Sequence, residues 1–308
     1  MLHNVFLPST SKDKNTTYFC KLSVLYIKNN IFALENTSKE IYHLNIKQNS
    51  LKRRFIAMIL DRFSLKGKVA IVTGSDTGLG QGFCKAFVEA GAKVMGVSVV
   101  SSQATQDMLG ADNFQYMVEN LMTLEPIDRI IAKTVELFGH VDILVNNAGI
   151  ILREDAIDFS EEYWDKVMSV NAKTVFFFSQ AVARQFIKQG GGGKIISVAS
   201  MLSYQGGIRV PSYTASKSAV KGITMSMSNE WAKYGINVNA IAPGYMATNN
   251  TAALRADANR SEAILDRIPA GRWGTPDDIM GAGIFLASSA SDYVHGFTIA
   301  VDGGWLGR

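Results

Sequence analysis

The segment TGSDTGLG, residues 73–80, decides the fold. It closes a short apolar run, VAIVT at 69–73, which predicts a buried strand, and residues 80–90 then read as a helix that stops at Gly91. Glycines at 74, 78 and 80 let the backbone approach an anion at the helix N-terminus, where free N–H groups and the helix dipole favour negative charge. A strand, a glycine turn and a helix in this order indicate a dinucleotide-binding unit.

The chain from residue 58 onward alternates strands with helices. Further strands are predicted at 93–100, 114–118, 141–145, 194–199, 237–241 and 298–301, and further helices at 127–138, 160–188 and 212–234. This alternation is typical of βαβ units with right-handed crossovers. We therefore predict an α/β fold of the Rossmann type, a doubly wound parallel sheet of about seven strands with helices on both faces.

The first 57 residues differ from the rest in composition. All 27 glycines lie at or after Gly67, and residues 1–57 carry nine Lys or Arg against three acids. The remainder has 22 basic and 24 acidic side chains, so the net charge of +4 comes from the first segment. We expect one NAD(P)-binding domain at 58–308 and an extension at 1–57 that is poorly ordered or not part of the native protein. A targeting arm and a nucleic-acid-binding arm are the competing hypotheses for 1–57.

Composition excludes several other classes of protein. Cys20 and Cys84 cannot form a disulfide framework, and no Cys/His cluster has the spacing of a zinc site. No apolar run reaches the roughly 18 residues of a membrane-spanning helix, and the N-terminus lacks the pattern of a signal peptide. We therefore expect no metal site, no membrane or nucleic-acid partner, and a cytoplasmic location.

A tyrosine and a lysine four residues apart, Tyr213 and Lys217, open the predicted helix at 212–234. They share a helix face, and Ser200 follows the predicted strand at 194–199, so the three side chains can converge at the carboxyl edge of the sheet. A free phenol has a pKa of about 10, and a neighbouring ammonium favours the phenolate. We predict that Lys217 lowers the pKa of Tyr213. An ordinary half-exposed helix face is the alternative for this spacing alone.

The end of the second predicted strand bears on the choice of dinucleotide. An acid there would hydrogen-bond the ribose hydroxyls and disfavour a 2′-phosphate. Ser98 stands where that acid is expected, and neither Lys nor Arg follows the strand. The missing phosphate-binding cation favours NAD as the cofactor and leaves NADP open.

Together with NNAG at 146–149 and Pro243-Gly244, these residues resemble the short-chain dehydrogenase/reductase family over about residues 62–308. The resemblance implies a homotetramer in which Tyr213 is the general acid or base and Lys217 also holds the nicotinamide ribose. It further implies that Ser200 binds the reacting oxygen and that Asn171 supports a proton-relay water. The cofactor-binding residues predicted from the turn, the strand ends and this resemblance are Gly74, Ser75, Thr77, Gly78, Leu79, Gly80, Ser98, Asn120, Asn147, Ala148, Gly149, Tyr213, Lys217, Pro243, Gly244 and Thr248.

Four segments, 153–156, 200–211, 242–250 and 265–274, resemble bacterial members of this family that act on 2-dehydro-3-deoxy-D-gluconate. This resemblance implies reduction of a 2,5-dioxo-3-deoxy sugar acid at C5 with NADH, or the reverse oxidation, in uronate and pectin catabolism.

A sugar acid carries a carboxylate, which a bidentate arginine suits. The predicted substrate residues are Arg153, Gln205 and Arg209, with Arg272 as a further option. The alternatives are the same chemistry on another sugar, a polyol or a 3-oxoacyl thioester, and a dinucleotide-binding sensor without turnover.

Overall fold

The structure, a computed structural model, describes residues 58–308, and the expectations for residues 1–57 lie outside this range. One sheet of parallel strands runs through it in the order β3-β2-β1-β4-β5-β6-β7. The strands are β1 (Val69–Thr73), β2 (Lys93–Ser98), β3 (Phe114–Val118), β4 (Ile143–Asn146), β5 (Gly193–Val198), β6 (Ile236–Pro243) and β7 (Thr298–Val301). The predicted doubly wound, seven-stranded Rossmann sheet is confirmed.

Helices connect the strands and cover both faces of the sheet. They are α1 (Gly78–Glu89), α2 (Gln103–Leu109), α3 (Ile127–Phe138), α4 (Glu161–Met168), α5 (Thr174–Gln189), α6 (Pro211–Trp231), α7 (Ala252–Ala256), α8 (Ala258–Leu265) and α9 (Pro276–Ala287). Within residues 58–308, no helix is both long and apolar enough to cross a bilayer.

The alternation of side chains along β1 explains the two hydrophobic layers. Ala70 and Val72 belong to the core that includes Phe83 and Phe87 of α1, whereas Ile71 belongs to the core formed with α3 and α5. Successive side chains of a strand point to opposite faces, so a strand covered by helices on both sides is apolar at every position. All five residues of β1 are accordingly buried.

The predicted single helix at 160–188 is wrong in one respect. A five-residue π-helical segment, Ser169–Lys173, separates α4 from α5. This segment carries Asn171, which is fully buried and hydrogen-bonded to both backbone groups of Ile150. A π turn is rare in proteins, and here it occurs where Asn171 is hydrogen-bonded to a loop that is distant in sequence. No local sequence pattern announces such contacts.

Helices α2, α7, α8 and α9 were not predicted. The start of α9 nonetheless has a clear sequence signal, since Thr275 and Asp278 form a capping box and Pro276 occupies the first helical position. The other three have at most eight residues and lack an apolar face wide enough to reveal them by periodicity alone.

Candidate active site

The carboxyl ends of β1, β4, β5 and β6 border one cavity of about 310 Å³. In a doubly wound sheet the ligand crevice lies where the strand order reverses, which here is between β1 and β4. The predicted site residues that line this cavity are Gly74, Thr77, Gly78, Leu79, Asn147, Ala148, Gly149, Ser200, Tyr213, Lys217, Pro243, Gly244 and Thr248.

A clamp of hydrogen bonds joins the turns after β1 and β4. The Thr73 hydroxyl accepts from the backbone N–H groups of Asn147 (3.0 Å) and Ala148 (2.9 Å). The Asn147 amide in turn donates to the carbonyl oxygen of Thr73 at 2.8 Å. A Cβ at Gly80 would lie 1.8 Å from the carbonyl oxygen of Gly74, so only glycine permits this close packing.

The first turn of α1 forms an anion cradle. Its N-cap residue, Thr77, makes no side-chain cap hydrogen bond, so the first N–H groups of the helix are left for another acceptor. Gly78 has φ of +58°, and a Cβ there would fill space next to the Thr248 methyl group, at 3.6 Å. These features fit the pyrophosphate of a dinucleotide, which needs N–H donors and room for close backbone approach.

Ser200, Tyr213 and Lys217 converge on the far side of the same cavity. Ser200 lies two residues after the end of β5. Its hydroxyl caps the next turn by accepting from the Leu202 N–H at 3.1 Å, and it is hydrogen-bonded with Tyr213. The ammonium of Lys217 is buried, donates to the Val198 carbonyl at 2.6 Å and lies 5.6 Å from the centroid of the Tyr213 ring. The predicted convergence of these three side chains is therefore present in the structure.

The predicted lowering of the Tyr213 pKa by Lys217 is wrong for this structure. Burial raises the pKa of the phenol, because it disfavours the phenolate; hydrogen bonding with Ser200 and the charge of Arg153 oppose that rise. Burial also lowers the pKa of the Lys217 ammonium to about 8. Helical spacing located the pair correctly but carried no information about desolvation.

The side-chain amide of Asn171 is fully occupied as a donor. It donates to the carbonyl of Ile150 at 2.9 Å and to the hydroxyl of Ser216 at 3.2 Å, while its oxygen accepts from the Ile150 N–H at 2.9 Å. Asn171 thus ties the loop after β4 to α6, next to the tyrosine. Its role in a proton relay stays a prediction.

The predicted substrate arginines occupy different environments. Arg209 is ion-paired with Asp155 at 2.9 Å, and Arg272 forms a two-pronged pair with Asp278 at 2.7 Å. Arg153 donates only to the backbone carbonyl of Asn250, at 3.1 Å, and acts electrostatically on Tyr213. Of the three, Arg153 is the one whose charge lowers the pKa of Tyr213, although it is exposed and does not line the cavity. Gln205 is half-buried in the loop before α6 and does not line the cavity.

Four of the predicted cofactor residues do not line the cavity: Gly80, which packs against the carbonyl oxygen of Gly74, and Ser75, Ser98 and Asn120. Ser75 is buried and hydrogen-bonded to the Ser102 hydroxyl at 3.0 Å. Ser98, at the end of β2, donates its hydroxyl to the carboxylate of Asp76. Asn120 lies just beyond β3 and accepts from the Met122 N–H at 3.0 Å. Their contact with a cofactor stays a prediction.

Sequence reasoning missed several residues that line the cavity. They are Asp76, Val198, Ala199, Met246, Asn249, Asn250 and Thr251. Asp76 lies inside the glycine turn, whereas the sequence rule for this fold places the acid at the end of β2. The polar run 249–251 lies in the loop between β6 and α7, and only the tertiary structure folds that loop over the cavity.

An anion cradle at one end of the cavity and a serine, tyrosine and lysine at the other define an oxidoreductase that uses a nicotinamide dinucleotide. The profile of the family described as "Enoyl-(Acyl carrier protein) reductase" matches residues 74–306. The chain belongs to the short-chain dehydrogenase/reductase family.

The chain is similar to several named proteins and to several solved structures. It is 64% identical over 253 residues to the 2-dehydro-3-deoxy-D-gluconate 5-dehydrogenase of Dickeya dadantii, covering 82% of this chain and 100% of that one. It is 53% identical to the enzyme of the same name from Bacillus subtilis, covering 80% and 98%. The solved gluconate 5-dehydrogenase of Burkholderia cenocepacia, in complex with NADP and tartrate, is 38% identical with a TM-score of 0.76, covering 82% and 100%.

Replacement of Tyr213 by phenylalanine tests the acid–base role. Tyr213→Phe removes one hydroxyl and keeps the ring, so we expect kcat to fall by about 10²–10⁴-fold while dinucleotide binding changes little. Steady-state turnover and fluorescence titration with reduced dinucleotide measure the two effects. Tyr204→Phe, an exposed tyrosine in the preceding loop, is the control. Turnover at the wild-type rate in Tyr213→Phe would remove the tyrosine from the mechanism.

The depressed pKa of Lys217 predicts a pH-dependent stability. Because the pKa is about 8 in the folded chain and 10.5 as the ordinary value, the folded chain releases this proton first. The unfolded chain therefore binds more protons between pH 8 and 10.5, and the stability rises with pH in that window. Between about pH 7.5 and 9.5 the contribution is about 2 kcal/mol.

Urea unfolding of the wild type and Lys217→Met at these two pH values measures the contribution. We expect the difference in free energy of unfolding between wild type and variant to grow in favour of the wild type at the higher pH. If the free energies of unfolding of the wild type and Lys217→Met change equally between the two pH values, the depressed pKa does not belong to Lys217.

Proposed function

We propose that the protein interconverts 2-dehydro-3-deoxy-D-gluconate and the corresponding 2,5-dioxo-3-deoxy sugar acid, with NAD, in uronate catabolism. Identity of 64% to a relative bearing that name supports the choice of substrate. The observation that carries it is the convergence of Ser200, Tyr213 and Lys217 in one cavity. Arg153 is exposed and lies outside the lining of that cavity, and its charge lowers the pKa of Tyr213. Among residues 58–308 it has no carboxylate partner, so its guanidinium is available to the carboxylate of a sugar acid.

A bound nicotinamide supplies or accepts the hydride at its C4 atom. In the direction of reduction, Tyr213 donates a proton to the carbonyl oxygen of the substrate, and in oxidation it removes the hydroxyl proton. Ser200 donates a hydrogen bond to the same oxygen, which strengthens as negative charge develops there. Because burial raises the pKa of Tyr213, the phenol is protonated at neutral pH and ready to act as the acid.

Two groups near Tyr213 favour its phenolate form, which is needed to remove a proton during oxidation of the substrate. Arg153 and the hydrogen bond with Ser200 both lower the pKa of the phenol, against the effect of burial. A phenolate left after proton donation is therefore stabilised by its surroundings. Lys217, held by the Val198 carbonyl, lies within the same cavity and adds a donor toward the nicotinamide ribose.

Local charge supports NAD over NADP. The sequence contains no Lys or Arg between Lys93 and Arg129, the stretch that includes the ends of β2 and β3. A 2′-phosphate bound there would lack a counter-charge. The Burkholderia relative was crystallised with NADP, so the preference needs its own measurement.

The polar lining of the cavity disfavours the competing functions. Asn249, Asn250 and Thr251 offer hydrogen-bonding groups suited to hydroxyls rather than to the long acyl chain of a 3-oxoacyl thioester. The convergence of Ser200, Tyr213 and Lys217 also disfavours a sensor without turnover, which needs no proton donor.

Exposed apolar side chains support the proposal of a homotetramer. Phe177 and Ile187 on α5 and Phe297 beside the edge strand β7 are exposed, at 37%, 49% and 60%. Large apolar side chains at a helix face and a sheet edge favour contact with further copies of the chain. A cytoplasmic location is part of the same proposal.

A turnover screen tests the proposed substrate. We expect the highest kcat/KM for 2-dehydro-3-deoxy-D-gluconate with NAD, and lower values for gluconate, a neutral polyol and a 3-oxoacyl thioester. Absorbance of the reduced nicotinamide measures each rate. A higher kcat/KM for the polyol or the thioester would overturn the proposal.

Arg153→Met tests recognition of the substrate carboxylate. Loss of a charge-assisted hydrogen bond should raise KM for the sugar acid by about 10- to 100-fold and leave KM for a neutral polyol unchanged. Arg209→Met and Arg272→Met are matched controls, because both arginines are already paired with carboxylates. An unchanged KM in Arg153→Met, or an equal rise in all three variants, would exclude this role.

A further inference from the structure

The arrangement of the sheet fixes which way a dinucleotide must lie. The anion cradle is at the end of β1, and Ser200 and Tyr213 lie beyond the end of β5. The strand order places β4 and β5 on one side of β1, and β2 and β3 on the other. If the pyrophosphate binds at the cradle and the nicotinamide beside Tyr213, the adenosine half would lie toward the end of β2.

The carboxylate of Asp76 occupies that end of the cavity. Asp76 lies in the glycine turn, is half-buried and lines the same cavity as Tyr213. One carboxylate oxygen accepts from the hydroxyl of Ser98 at the end of β2, and the other accepts from the hydroxyl of Thr77 at 3.3 Å. The carboxylate at the end of β2 thus comes from the turn after β1.

This carboxylate has no basic partner among residues 58–308 and retains capacity to accept hydrogen bonds. Among residues 58–308 no Lys or Arg forms an ion pair with Asp76. A carboxylate offers about four acceptor positions, and the two hydroxyls use only two of them. The remaining positions suit the two hydroxyls of an unmodified ribose, whereas a phosphate ester in the same place would meet like charge.

We propose that Asp76 is the residue that selects NAD over NADP, by accepting hydrogen bonds from the adenosine ribose and repelling a 2′-phosphate. The inference rests on the proposed function and deepens it, because it assigns the cofactor preference to one side chain. Ser98 is a positioning residue, whose hydroxyl holds the carboxylate at the end of β2. Ser98 therefore affects cofactor binding through the carboxylate of Asp76, which belongs to the turn after β1.

Equilibrium binding to the full chain, without sugar acid, tests the proposal. Fluorescence titration gives Kd for NADH and NADPH in the wild type, Asp76→Asn and the control Asp112→Asn, which removes an exposed carboxylate in the turn before β3. We expect the wild type to bind NADH more tightly than NADPH. Asp76→Asn should improve NADPH binding by about tenfold or more, because one repulsive charge is gone, and Asp112→Asn should match the wild type.

Changes in ionic strength and substitutions at Ser98 test the same role of Asp76 independently of Asp76→Asn. Raising the ionic strength of the wild type should narrow the gap between the two Kd values, since screening weakens charge repulsion. Ser98→Ala should also narrow the gap between Kd for NADH and Kd for NADPH. Ser98→Thr, which keeps a hydroxyl, should show the gap of the wild type. These arms still decide the matter if Asp76→Asn does not fold.

Two results would overturn the role of Asp76. One is equal affinity of the wild type for NADH and NADPH at low salt, and the other is an unchanged ratio of the two Kd values in Asp76→Asn. Neither result bears on the substrate, because turnover of the sugar acid with either dinucleotide is scored separately. Conversely, a lack of sugar-acid turnover would reject the proposed function. The ratio of Kd for NADPH to Kd for NADH would still test the role of Asp76 in selecting the dinucleotide.

Discussion

The hydrogen bonds between Thr73 and Asn147 hold together the ends of β1 and β4, and the geometry of the active site depends on them. These strands are paired neighbours at the point where the order of the sheet reverses, and the bonds join the turns that follow them. Gly74 and Gly80 are required by the same contact, because a Cβ at either position would enter the space of Asn147 or of the opposing backbone. The clamp therefore sets the distance between the anion cradle and the residues after β4 and β5.

Burial sets the acid–base character of the reacting groups. It disfavours the charged form of both Tyr213 and Lys217, so the phenol holds its proton more tightly and the ammonium less tightly than in water. The fixed dipoles and charges nearby, Ser200 and Arg153 above all, oppose the effect on the phenol. The role of general acid that we propose for Tyr213 needs this balance, because such a group must be protonated before the reaction and stabilised after it.

The two ends of the cavity carry opposite charge. Asp76 gives the end near β2 a negative charge, and Lys217 gives the other end a positive charge, with Arg153 acting on Tyr213 there. The ligands that we propose, a dinucleotide without a 2′-phosphate and a substrate with a carboxylate, complement this polarity. Complementary potentials select between ligands of similar shape that differ in charge. NAD and NADP differ in this way, and so do sugar acids and neutral sugars.

The sequence alone determined the parallel sheet, the glycine turn at 74–80 and the meeting of Ser200, Tyr213 and Lys217, because each depends on local periodicity or on the rule that parallel strands end at one edge. It did not determine the π turn at Asn171, the pKa shift of Tyr213 or the partners of Arg209 and Arg272. Those depend on which distant groups come into contact and on how much water they lose. The clearest case is Asp76 and Ser98, 22 positions apart, whose contact exists only because β2 lies beside β1.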